Sequence, residues 1–398
     1  MSIGGLNIVI RKISAKFRDI FRKRPSVRPA NGFLKKSAMT TSLVYSLETP
    51  QFHLLKLNSV NRFSGFVFDS NSKPIECLNV YLDDKKLGSF EVNGLSNDIS
   101  EHVPHIASAG NCRFGFSLYI KSDASKYLFE AVYDDNSCEL LFEYNVAEVR
   151  STEGWLKKMN RGLADIPMPN ADLVFLTQGI RDSTAYQNSI IPGIYNMMRY
   201  LGDSRVDINS LQSILDLGCG TGRLTVGWYL DNPERRLSGC DINGELLTWA
   251  KDRLPQEISW DQCSVKPPLP YASKSFDLVY LISVFTHLSL NSQHLWAQEL
   301  KRIVRPGGYI LVTFHGEIYV RAFHPQRMEE FSKTGYIEIP SSDEGSNSFG
   351  TYHGFGFVEV LFNYFEIIGY WPRGTLNYPE VVFPVAALQD VYVLKCRS

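Results

Sequence analysis

From about Asp172 to the C-terminus, apolar runs alternate with stretches whose apolar residues recur every three or four positions. Such alternation is typical of βαβ units, in which a helix connects two parallel strands. The candidate strands are Ser213–Leu217, Leu237–Cys240, Ile258–Trp260, Phe276–Ile282, Tyr309–Phe314, Phe365–Tyr370 and Val391–Cys396. We therefore predict an α/β domain over residues 176–398 with a seven-stranded, mostly parallel sheet, whose last two strands form an antiparallel pair.

Residues 51–150 have a different pattern, in which short β-type runs are separated by turn residues. The candidate strands are Phe63–Phe68, Leu78–Leu82, Leu87–Val92, Arg113–Ile120, Tyr127–Tyr133 and Cys138–Tyr144. Residues 83–86 (DDKK) and 134–137 (DDNS) predict hairpin turns between them. Short strands with frequent turns predict a small antiparallel, β-sandwich-like domain, and residues 151–175 connect it to the α/β domain.

The first 24 residues carry an apolar stripe at helical spacing, with Lys and Arg between the apolar positions. This pattern predicts a basic amphipathic helix, which residues 25–50 follow as a linker. Such a helix can lie in the headgroup layer of an anionic membrane, or it can dock on this chain or on a partner protein. An Arg-rich transit peptide is a third interpretation of the same segment.

The distribution of charge separates this N-terminal segment from the rest of the chain. Residues 1–36 contain ten Lys and Arg side chains against the single acid Asp19, whereas the 398 residues together have a net charge of −1. The remainder is therefore acidic, with a net charge of −10. An acidic body argues against a catalytic face that binds nucleic acid, and it leaves contact with an anionic surface to the basic segment.

The seven cysteines are scattered along the chain, and none forms a Cys-x-x-Cys pair. This odd, dispersed set indicates reduced thiols in a cytoplasmic protein, without a disulfide framework or a zinc site. No apolar run approaches the ~18 residues that a membrane span needs, and the N-terminus lacks a secretory cleavage pattern. We expect a cytoplasmic protein, with peripheral attachment to a membrane through residues 1–24 as an option.

One short segment carries the strongest chemical signal. The first strand of the α/β domain leads into Asp216-Leu217-Gly218-Cys219-Gly220-Thr221-Gly222, and a helical pattern follows at 224–230. Glycines let the backbone turn tightly and approach a ligand, and a helix N-terminus presents unpaired N–H groups to it. A dinucleotide-binding loop has the spacing Gly-x-Gly-x-x-Gly, whereas this loop is Gly-x-Gly-x-Gly with an acid two residues before the first glycine.

A second acid, Asp241, ends the next strand along the chain. The carboxyl ends of parallel strands meet at one edge of a sheet, so this carboxylate is expected beside the glycine loop, placed to accept both hydroxyls of a ribose. An adenosyl cofactor and a nicotinamide cofactor would both use it. The alternative role is the N-cap of the next predicted helix, Glu245–Arg253, which Asp241 and Asn243 both fit.

In the glycine loop, the acid before it and Asp241, the chain from about Asp172 onward resembles class I S-adenosylmethionine-dependent methyltransferases, which have a Rossmann-like fold. Further strings resemble a subgroup associated with bacterial surface-glycan and glycosyltransferase systems. These strings are 267–271 (PPLPY), 283–288 (SVFTHL), 305–308 (RPGG), 314–316 (FHG) and 389–391 (QDV). RPGG is expected to end a helix over Ser292–Val304 and to turn into the fifth strand.

The resemblance implies S-adenosylmethionine as the cofactor and assigns residues to its binding. The residues of the glycine loop that would surround its methionine part are Asp216, Gly218, Cys219, Gly220 and Gly222. Asp241 and Ile242 would hold the ribose and the adenine. The stretch from Ser283 to Phe285 would lie beside the methyl-bearing sulfur.

The stretch after the third strand departs from the pattern of the family. Many relatives have Asp followed by Ala there, to meet the adenine amino group, whereas this chain has WDQCSV at 260–265. Asp261 or Gln262 would have to make that contact.

Methyl transfer asks little of the protein beyond in-line positioning of the acceptor, because a sulfonium is already a good methyl donor. A hydroxyl acceptor also needs a general base with a pKa of about 7, for which histidine is the natural side chain. The candidates are His287 after the fourth strand, His315 after the fifth, and His353 in a loop rich in Gly and aromatic residues that could cover the site. Each can equally be a hydrogen-bonded structural residue. No close His, Asp and Glu cluster marks a metal site, so a metal-free mechanism is expected.

The sequence thus favours an O-directed methyltransferase that acts on a small-molecule or carbohydrate acceptor, with the β domain for acceptor binding or assembly. The alternative from another class is an inactive protein of methyltransferase fold that acts as a binding or scaffold protein through its β domain and basic helix. An NAD-dependent oxidoreductase is disfavoured by the glycine spacing. Nucleic-acid methylation is disfavoured by the acidic body and by the lack of an Asn/Asp-Pro-Pro-Tyr/Phe string after the fourth strand, although the basic segment leaves it open.

Overall fold

The computed structural model describes residues 43–49, 55–69, 72–95, 110–179, 181–340, 343–346, 349–374 and 389–397. These residues divide into two compact units, with the boundary between Lys157 and Lys158. The predicted basic helix of residues 1–24 lies outside the described residues, as does most of the predicted linker. Part of that linker is structured, because Leu43–Thr49 pairs antiparallel with a neighbouring strand. The prediction of a linker that continues to residue 50 is therefore wrong.

The first unit is built of short antiparallel strands. In its described part they are β1 (Leu43–Thr49), β2 (Ser59–Asp69), β3 (Ile75–Leu82), β4 (Lys85–Glu91), β5 (Arg113–Ile120), β6 (Lys126–Tyr133) and β7 (Cys138–Asn145). One sheet has the strand order β1-β2-β5 and another the order β4-β3-β6-β7. The strands that the sequence predicts here overlap β2 to β7.

Aromatic side chains pack between these two sheets. The ring of Phe63 on β2 lies 5.4 Å from that of Phe116 on β5 and 5.3 Å from that of Phe129 on β6. Phe116 also stacks on Phe90 of β4, with 4.0 Å between the ring centroids. Along β5, buried and exposed residues alternate, as the period of two in a strand requires. Each sheet therefore buries one face, while the assignment of this unit to the sandwich class stays a prediction.

Helix α1 (Val146–Leu163) follows β7 directly. Its side chains Leu156, Met159 and Leu163 recur at helical spacing and are buried. The helix occupies much of the stretch 151–175 that the sequence predicts as a connection. It also places the end of the β-rich region at Asn145 rather than at residue 150.

The second unit contains the α/β sheet and its helices. Its strands are β8 (Ser213–Leu217), β9 (Arg236–Asp241), β10 (Ser259–Gln262), β11 (Phe276–Leu281), β12 (Val304–Phe314), β13 (Tyr336–Pro340), β14 (Phe349–His353), β15 (Phe365–Trp371) and β16 (Asp390–Cys396). Its α-helices, among the described residues, are α2 (Ala171–Gln178), α3 (Ser183–Asn188), α4 (Ile190–Asp203), α5 (Arg223–Asp231), α6 (Gly244–Arg253), α7 (Leu290–Ile303), α8 (Glu317–Phe323), α9 (Met328–Thr334) and α10 (Phe355–Leu361).

Seven of the described strands form one mixed sheet, in the order β10-β9-β8-β11-β12-β16-β15. The pairs from β10 to β12 are parallel, whereas β16 lies antiparallel between β12 and β15. The chain runs from β8 outward to β10 and then places β11 on the other side of β8. In open α/β sheets, the crevice outside the carboxyl ends of the strands at such a reversal is the usual place for a ligand.

The central strands are buried along most of their length. All five residues of β8 are buried, and apolar side chains of β11, β12 and β16 share one core with those of α7 and α10. Strands covered by helices need such near-continuous apolar runs. Because those runs are visible in the sequence, each of the seven predicted strands overlaps an observed strand.

Two differences from the prediction concern weakly patterned segments. β13 and β14 pair antiparallel with each other, yet their sequences, YIEIP and FGTYH, are only five residues long, too short for the apolar pattern to give a strong signal. Residues 305–308, predicted as a turn that leads into the fifth strand, lie inside β12 instead. They form an irregularity opposite Asp277, where Gly307 has a φ of 77°.

We predict that Phe63→Ala destabilises the first unit by about 3–5 kcal/mol, because Phe63 is fully buried between the two sheets and its removal leaves a cavity. The measurement is the free energy of unfolding of this unit in urea. Tyr119→Ala is the matched control, since Tyr119 on β5 is 48% exposed and its loss should cost less than about 0.5 kcal/mol. Equal losses in the two variants would contradict the aromatic core.

Candidate functional site

The glycine loop adopts a backbone that only glycine takes freely. Gly218, Gly220 and Gly222 have φ values of 84°, 56° and 78°, all in the left-handed region. A side chain at any of these positions would strain the backbone. The loop joins the end of β8 to the start of α5, so it lies at the carboxyl edge of the sheet beside the reversal of strand order.

Neighbouring side chains also lie too close to the loop for a Cβ atom. A Cβ on the first glycine would be 2.5 Å from a methyl carbon of Val284, and one on the second would be 2.5 Å from the methyl carbon of Thr177. A Cβ on the third glycine would be 2.3 Å from a ring carbon of Trp260. The three glycines are therefore required both by backbone conformation and by space.

Asp216, one residue before the end of β8, is buried below the loop with 4% of its surface exposed. Its carboxylate accepts a hydrogen bond of 2.7 Å from the hydroxyl of Thr225. Burial raises its pKa to about 7, although the Thr225 bond and the nearby guanidinium of Arg223 lower the pKa in part. This side chain therefore changes charge near neutral pH.

Asp241 ends β9, and its carboxylate ties the glycine loop to that strand. One of its oxygens accepts a hydrogen bond of 2.8 Å from the backbone N–H of Gly220, and the other accepts one of 2.9 Å from that of Asn243. Burial raises the pKa of Asp241, while these backbone donors lower it in part. A carboxylate has about four acceptor positions, so it keeps capacity for a further donor. The helix N-cap is Asn243, whose side chain accepts from Glu245 and Leu246.

The residues around the end of β10 lie next to Asp241. The amide of Gln262 is exposed and donates a 3.0 Å hydrogen bond to the carbonyl of Ile242, whereas Asp261 accepts one of 3.1 Å from the hydroxyl of Tyr271. The side chain of Ile242 is 41% exposed. Cys219, between the first two glycines, is buried, so its backbone rather than its thiol is what the loop presents.

A short segment at 343–346 lies close to the same apolar surface. A Cβ on Gly345 would be 3.3 Å from Ile242 and 3.4 Å from Val265. The backbone N–H of Gly345 donates a 2.9 Å hydrogen bond to the carbonyl of His287. Ile242 and Val265 therefore form an apolar patch beside the carboxylate of Asp241, and the segment with Gly345 borders it.

Ser283 follows β11 with a φ of 61°, an uncommon value for a residue other than glycine. Its backbone N–H donates to Thr313 Oγ1 at 2.8 Å, and its own hydroxyl oxygen accepts from Gln389 Nε2 at 2.8 Å. Phe285, two residues later, is fully buried and belongs to the core of the sheet. The side chain of Phe285 is therefore not part of the surface that a ligand meets, which limits its predicted role to backbone contacts.

The three histidines have different environments. His287 is partly exposed at the end of a short 3-10 turn, and its Nδ1 donates a 2.8 Å hydrogen bond to the carbonyl of Phe349. Burial lowers its pKa below the usual 6.5. The ring is therefore neutral at pH 7, and the tautomer set by Phe349 leaves the lone pair on Nε2.

The ring of His315 lies 6.2 Å from that of His287, and it stacks on Tyr319 at 4.3 Å. Burial first and the charge of His287 second lower the pKa of His315 to about 3. Its ring therefore stays neutral across the physiological pH range.

His353 is the last residue of β14 and not part of a covering loop, which corrects the sequence-based placement. Its segment pairs with β13, and its side chain is fully buried. Nε2 donates a 2.9 Å hydrogen bond to Gln293 Oε1, and the ring lies 4.6 Å from Phe314. Burial holds its pKa well below the usual value. These contacts are those of a structural histidine.

Sequence reasoning missed several residues that contact the loop or its neighbours. Thr177 of α2 lies over Gly220, and the hydroxyl of Tyr186 on α3 hydrogen-bonds that of Thr221 at 2.7 Å. The sequence gives Gln389 only as part of the string QDV, and Thr313 only as part of the candidate strand Tyr309–Phe314. No local pattern marks any of them, because each reaches the site from a distant part of the chain.

The described residues contain neither a group of metal ligands nor a helix able to span a membrane. Within the ranges that the structure covers, no three His, Cys, Asp or Glu side chains gather as a metal site would require. Among the described helices, none combines the length and apolar character needed to cross a membrane.

Residues 215–312 match the family model described as a methyltransferase domain. The matched stretch runs from β8 to β12 and includes the glycine loop, Asp241 and the turn that contains His287. This stretch is therefore similar to methyltransferase domains, the type of domain that takes its methyl group from S-adenosylmethionine.

Three curated proteins are similar to part of the chain. Methyltransferase GfsG of Streptomyces halstedii is 29% identical, with 27% of this chain and 40% of that protein covered. An uncharacterized methyltransferase of Schizosaccharomyces pombe is 34% identical, with 26% and 40% covered. The tRNA (carboxymethyluridine(34)-5-O)-methyltransferase of Arabidopsis thaliana is 36% identical, with 25% and 23% covered. The chain thus spans well under half the length of each of these relatives.

Among solved structures, an S-adenosylmethionine-dependent methyltransferase from Mesorhizobium loti is 15% identical. The comparison covers 50% of this chain and 97% of that chain, with a TM-score of 0.37, a likeness too slight to carry an inference.

We predict that Asp216 contributes a stability to the protein without ligand that falls as pH rises from about 4 to 7, opposite in sign to the contribution of the buried His315 and His353. Its pKa is raised to about 7 in the folded state, so the unfolded chain releases this proton at a lower pH than the folded protein does. Stability from this group is complete below the unfolded pKa and is lost through the folded pKa, at up to about 1.4 kcal/mol per pH unit.

Asp216→Asn cannot titrate, so its stability relative to that of the wild type should rise between pH 5 and pH 8, as measured by urea unfolding. Asp252→Asn, at an exposed position of α6, should keep the wild-type profile. A pH profile of Asp216→Asn that coincides with that of the wild type would show that the buried carboxyl holds no such proton.

Proposed function

We propose that this protein transfers a methyl group from S-adenosylmethionine to a hydroxyl of a small-molecule or carbohydrate acceptor. The observation that supports this most directly is the juxtaposition of Asp241 with three left-handed glycines at the reversal of strand order. A carboxylate with spare acceptor capacity beside a glycine loop suits an adenosyl group, and the match to a methyltransferase domain supports the same assignment.

The residues of the proposed cofactor site divide the work of binding. Asp241 would accept the ribose hydroxyls, and the exposed side chain of Ile242 would face the adenine. Asp261 and Gln262 are the polar groups nearest to that patch along β10 and are the candidates for the adenine amino group. The methionine part would lie against the backbone of Gly218 to Gly222, where the lack of side chains on the glycines permits close approach; most N–H groups of this loop already donate to Cys240, Asp241 and Cys219.

The acceptor side of the site needs a base that removes the proton of the acceptor hydroxyl. When bound, the cofactor supplies a methyl group on a positively charged sulfur, which is open to direct attack by an oxygen. The neutral Nε2 of His287 would take the proton of the acceptor hydroxyl, since Nδ1 is held by the carbonyl of Phe349. The ring of His315, 6.2 Å away, is the second candidate, and His353 would act only as a support inside the core.

The other parts of the chain would have roles in acceptor binding and in localisation. The β-rich unit would contribute to acceptor binding or assembly, and the basic segment of residues 1–24 would hold the enzyme at an anionic membrane or on a partner protein. A glycan acceptor rests on the resemblance alone. The alternative is an inactive protein of the same fold, which would bind the cofactor yet methylate no acceptor.

We predict that Asp241→Ala weakens the binding of S-adenosylhomocysteine at least tenfold, as measured by calorimetry. Hydrogen bonds to a charged group contribute about 1.5–3 kcal/mol each, and this variant also frees the backbone N–H of Gly220. Asp241→Asn should lose less, since it keeps one acceptor oxygen. Asp252→Ala, at an exposed position, is the control for the loss of a carboxylate. Wild-type affinity in Asp241→Ala would overturn the cofactor site.

We predict that His287→Asn lowers the turnover number about 10²–10⁴-fold without changing the affinity for S-adenosylhomocysteine. The assay measures transfer of labelled methyl from S-adenosylmethionine to the small-molecule and carbohydrate fraction of a cell extract. Because burial lowers the pKa of His287, the wild-type rate should rise with pH through a midpoint below 6.5.

His294→Asn, on the exposed face of α7, is the matched control and should have the wild-type rate. An unchanged rate in His287→Asn, with a large loss in His315→Asn, would move the role of base to His315. Cofactor binding without labelled product in any fraction would favour the inactive alternative.

A further inference from the structure

Three polar side chains at the carboxyl edge of the sheet form a closed ring of hydrogen bonds. The hydroxyl of Thr313 accepts from the backbone N–H of Ser283 at 2.8 Å and donates to Gln389 Oε1 at 2.7 Å. Gln389 Nε2 then donates to the hydroxyl oxygen of Ser283 at 2.8 Å. Thr313 lies in β12, Ser283 just after β11 and Gln389 just before β16, and these three strands are consecutive in the sheet.

The ring lies in the interior of the protein. Thr313 is fully buried, and only 5% of the surface of Gln389 is exposed. Polar groups taken out of water need partners, and here they find them in one another: Gln389 bonds the hydroxyls of Thr313 and Ser283, and Thr313 also accepts from the backbone of Ser283. A buried network of this kind fixes one arrangement of its members, because any other leaves a donor or an acceptor without a partner.

The member that this network holds is in an unfavourable conformation. Ser283 has a φ of 61°, in the left-handed region that residues other than glycine rarely adopt. Such conformations persist only where the surroundings impose them, and they concentrate at functional sites. Both hydrogen-bonding groups of Ser283 in the ring, the backbone N–H and the hydroxyl, depend on Thr313 and Gln389.

The conformation of Ser283 directs two neighbours toward the candidate site. Val284 comes directly after it and packs against Gly218, where its methyl carbon occupies the space of a Cβ. The carbonyl of Ser283 accepts a 2.8 Å hydrogen bond from the hydroxyl of Thr286, inside the turn that ends at His287. One backbone position therefore controls the wall against the glycine loop and the start of the turn with the proposed base.

We propose that Gln389 is a positioning residue for the methyl-transfer site. Through Ser283 and Thr313, it holds the backbone after β11 in the left-handed conformation that places Val284 on the glycine loop. This inference rests on the proposed function, since it concerns the wall of the same cofactor site. It adds Gln389, which directly precedes β16 and lies 106 positions from Ser283 along the chain.

The test compares cofactor affinity in two backgrounds by calorimetry with S-adenosylhomocysteine. Gln389→Leu keeps the approximate volume of the side chain and removes both of its hydrogen bonds, so affinity should fall about tenfold (about 1.4 kcal/mol). In the background Ser283→Gly, glycine takes the left-handed conformation without restraint. The same Gln389→Leu change should there alter the affinity less than twofold.

Tyr200→Phe is the control, because it removes a buried hydrogen bond to the carbonyl of Gly374 elsewhere in the same unit and should leave the affinity unchanged. Circular dichroism checks that each variant is folded, and Gln389→Asn, too short to span the ring, replaces Gln389→Leu if that variant is not. Wild-type affinity in a folded Gln389 variant, or an equal loss in both backgrounds, would overturn the inference. Failure of the wild type itself to bind would instead overturn the proposed function.

Discussion

The hydrogen bond from the backbone of Gly220 to the carboxylate of Asp241 is the constraint on which the rest of the candidate site depends. It holds the loop after β8 against the end of β9, together with bonds from the backbones of Gly218 and Cys219 to the carbonyl of Cys240. A loop held this closely must turn through left-handed conformations, and its three glycines follow from that requirement. The same carboxylate can hold the loop and still accept a hydrogen bond from a bound molecule, because it has about four acceptor positions and the backbone N–H groups of Gly220 and Asn243 use two of them.

The other wall of the crevice is built by a different principle. After β11 the chain turns at Ser283, a residue that has a side chain and therefore resists the conformation it adopts. Hydrogen bonds from Thr313 of β12 and Gln389 just before β16 hold it there, whereas the glycines on the opposite wall need no such support. One wall of the site thus adopts left-handed conformations because its residues are glycines, and the other because a buried hydrogen-bond network imposes them.

Much of this architecture could be predicted from the sequence, because its strands are covered by helices and therefore nearly continuously apolar. Asp216, the glycines and Asp241 were also accessible, since each stands at a fixed offset from the end of such a strand. β1, β13 and β14 were not, because their backbones pair without a strong apolar pattern. The tertiary environment of a side chain is also not visible in the sequence, which is why His353 was predicted in a loop that could cover the site and lies in the core instead.

The partners of Ser283 illustrate the same limit. Thr313 is 30 residues away along the chain and Gln389 is 106 residues away, so neither spacing carries a local signal. Only the pairing of β12 with β16 brings them together. The string QDV is visible in the sequence, but the hydrogen bonds of Gln389 to Thr313 and Ser283 depend on the order of the strands in the sheet, which the sequence does not give.

The buried carboxyl group of Asp216 has a consequence for the energetics of ligand exchange. With a pKa of about 7, it carries a proton in a large fraction of the molecules at neutral pH. A ligand whose positive charge lies near this group would favour its ionised form, so association would release a proton to the solvent. Retention of such a ligand would then strengthen as pH rises, whereas a neutral ligand of the same shape would not gain in this way. A methyl donor and its demethylated product differ in charge in this manner, so the ionised form of Asp216 would favour the donor and the protonated form would reduce that preference.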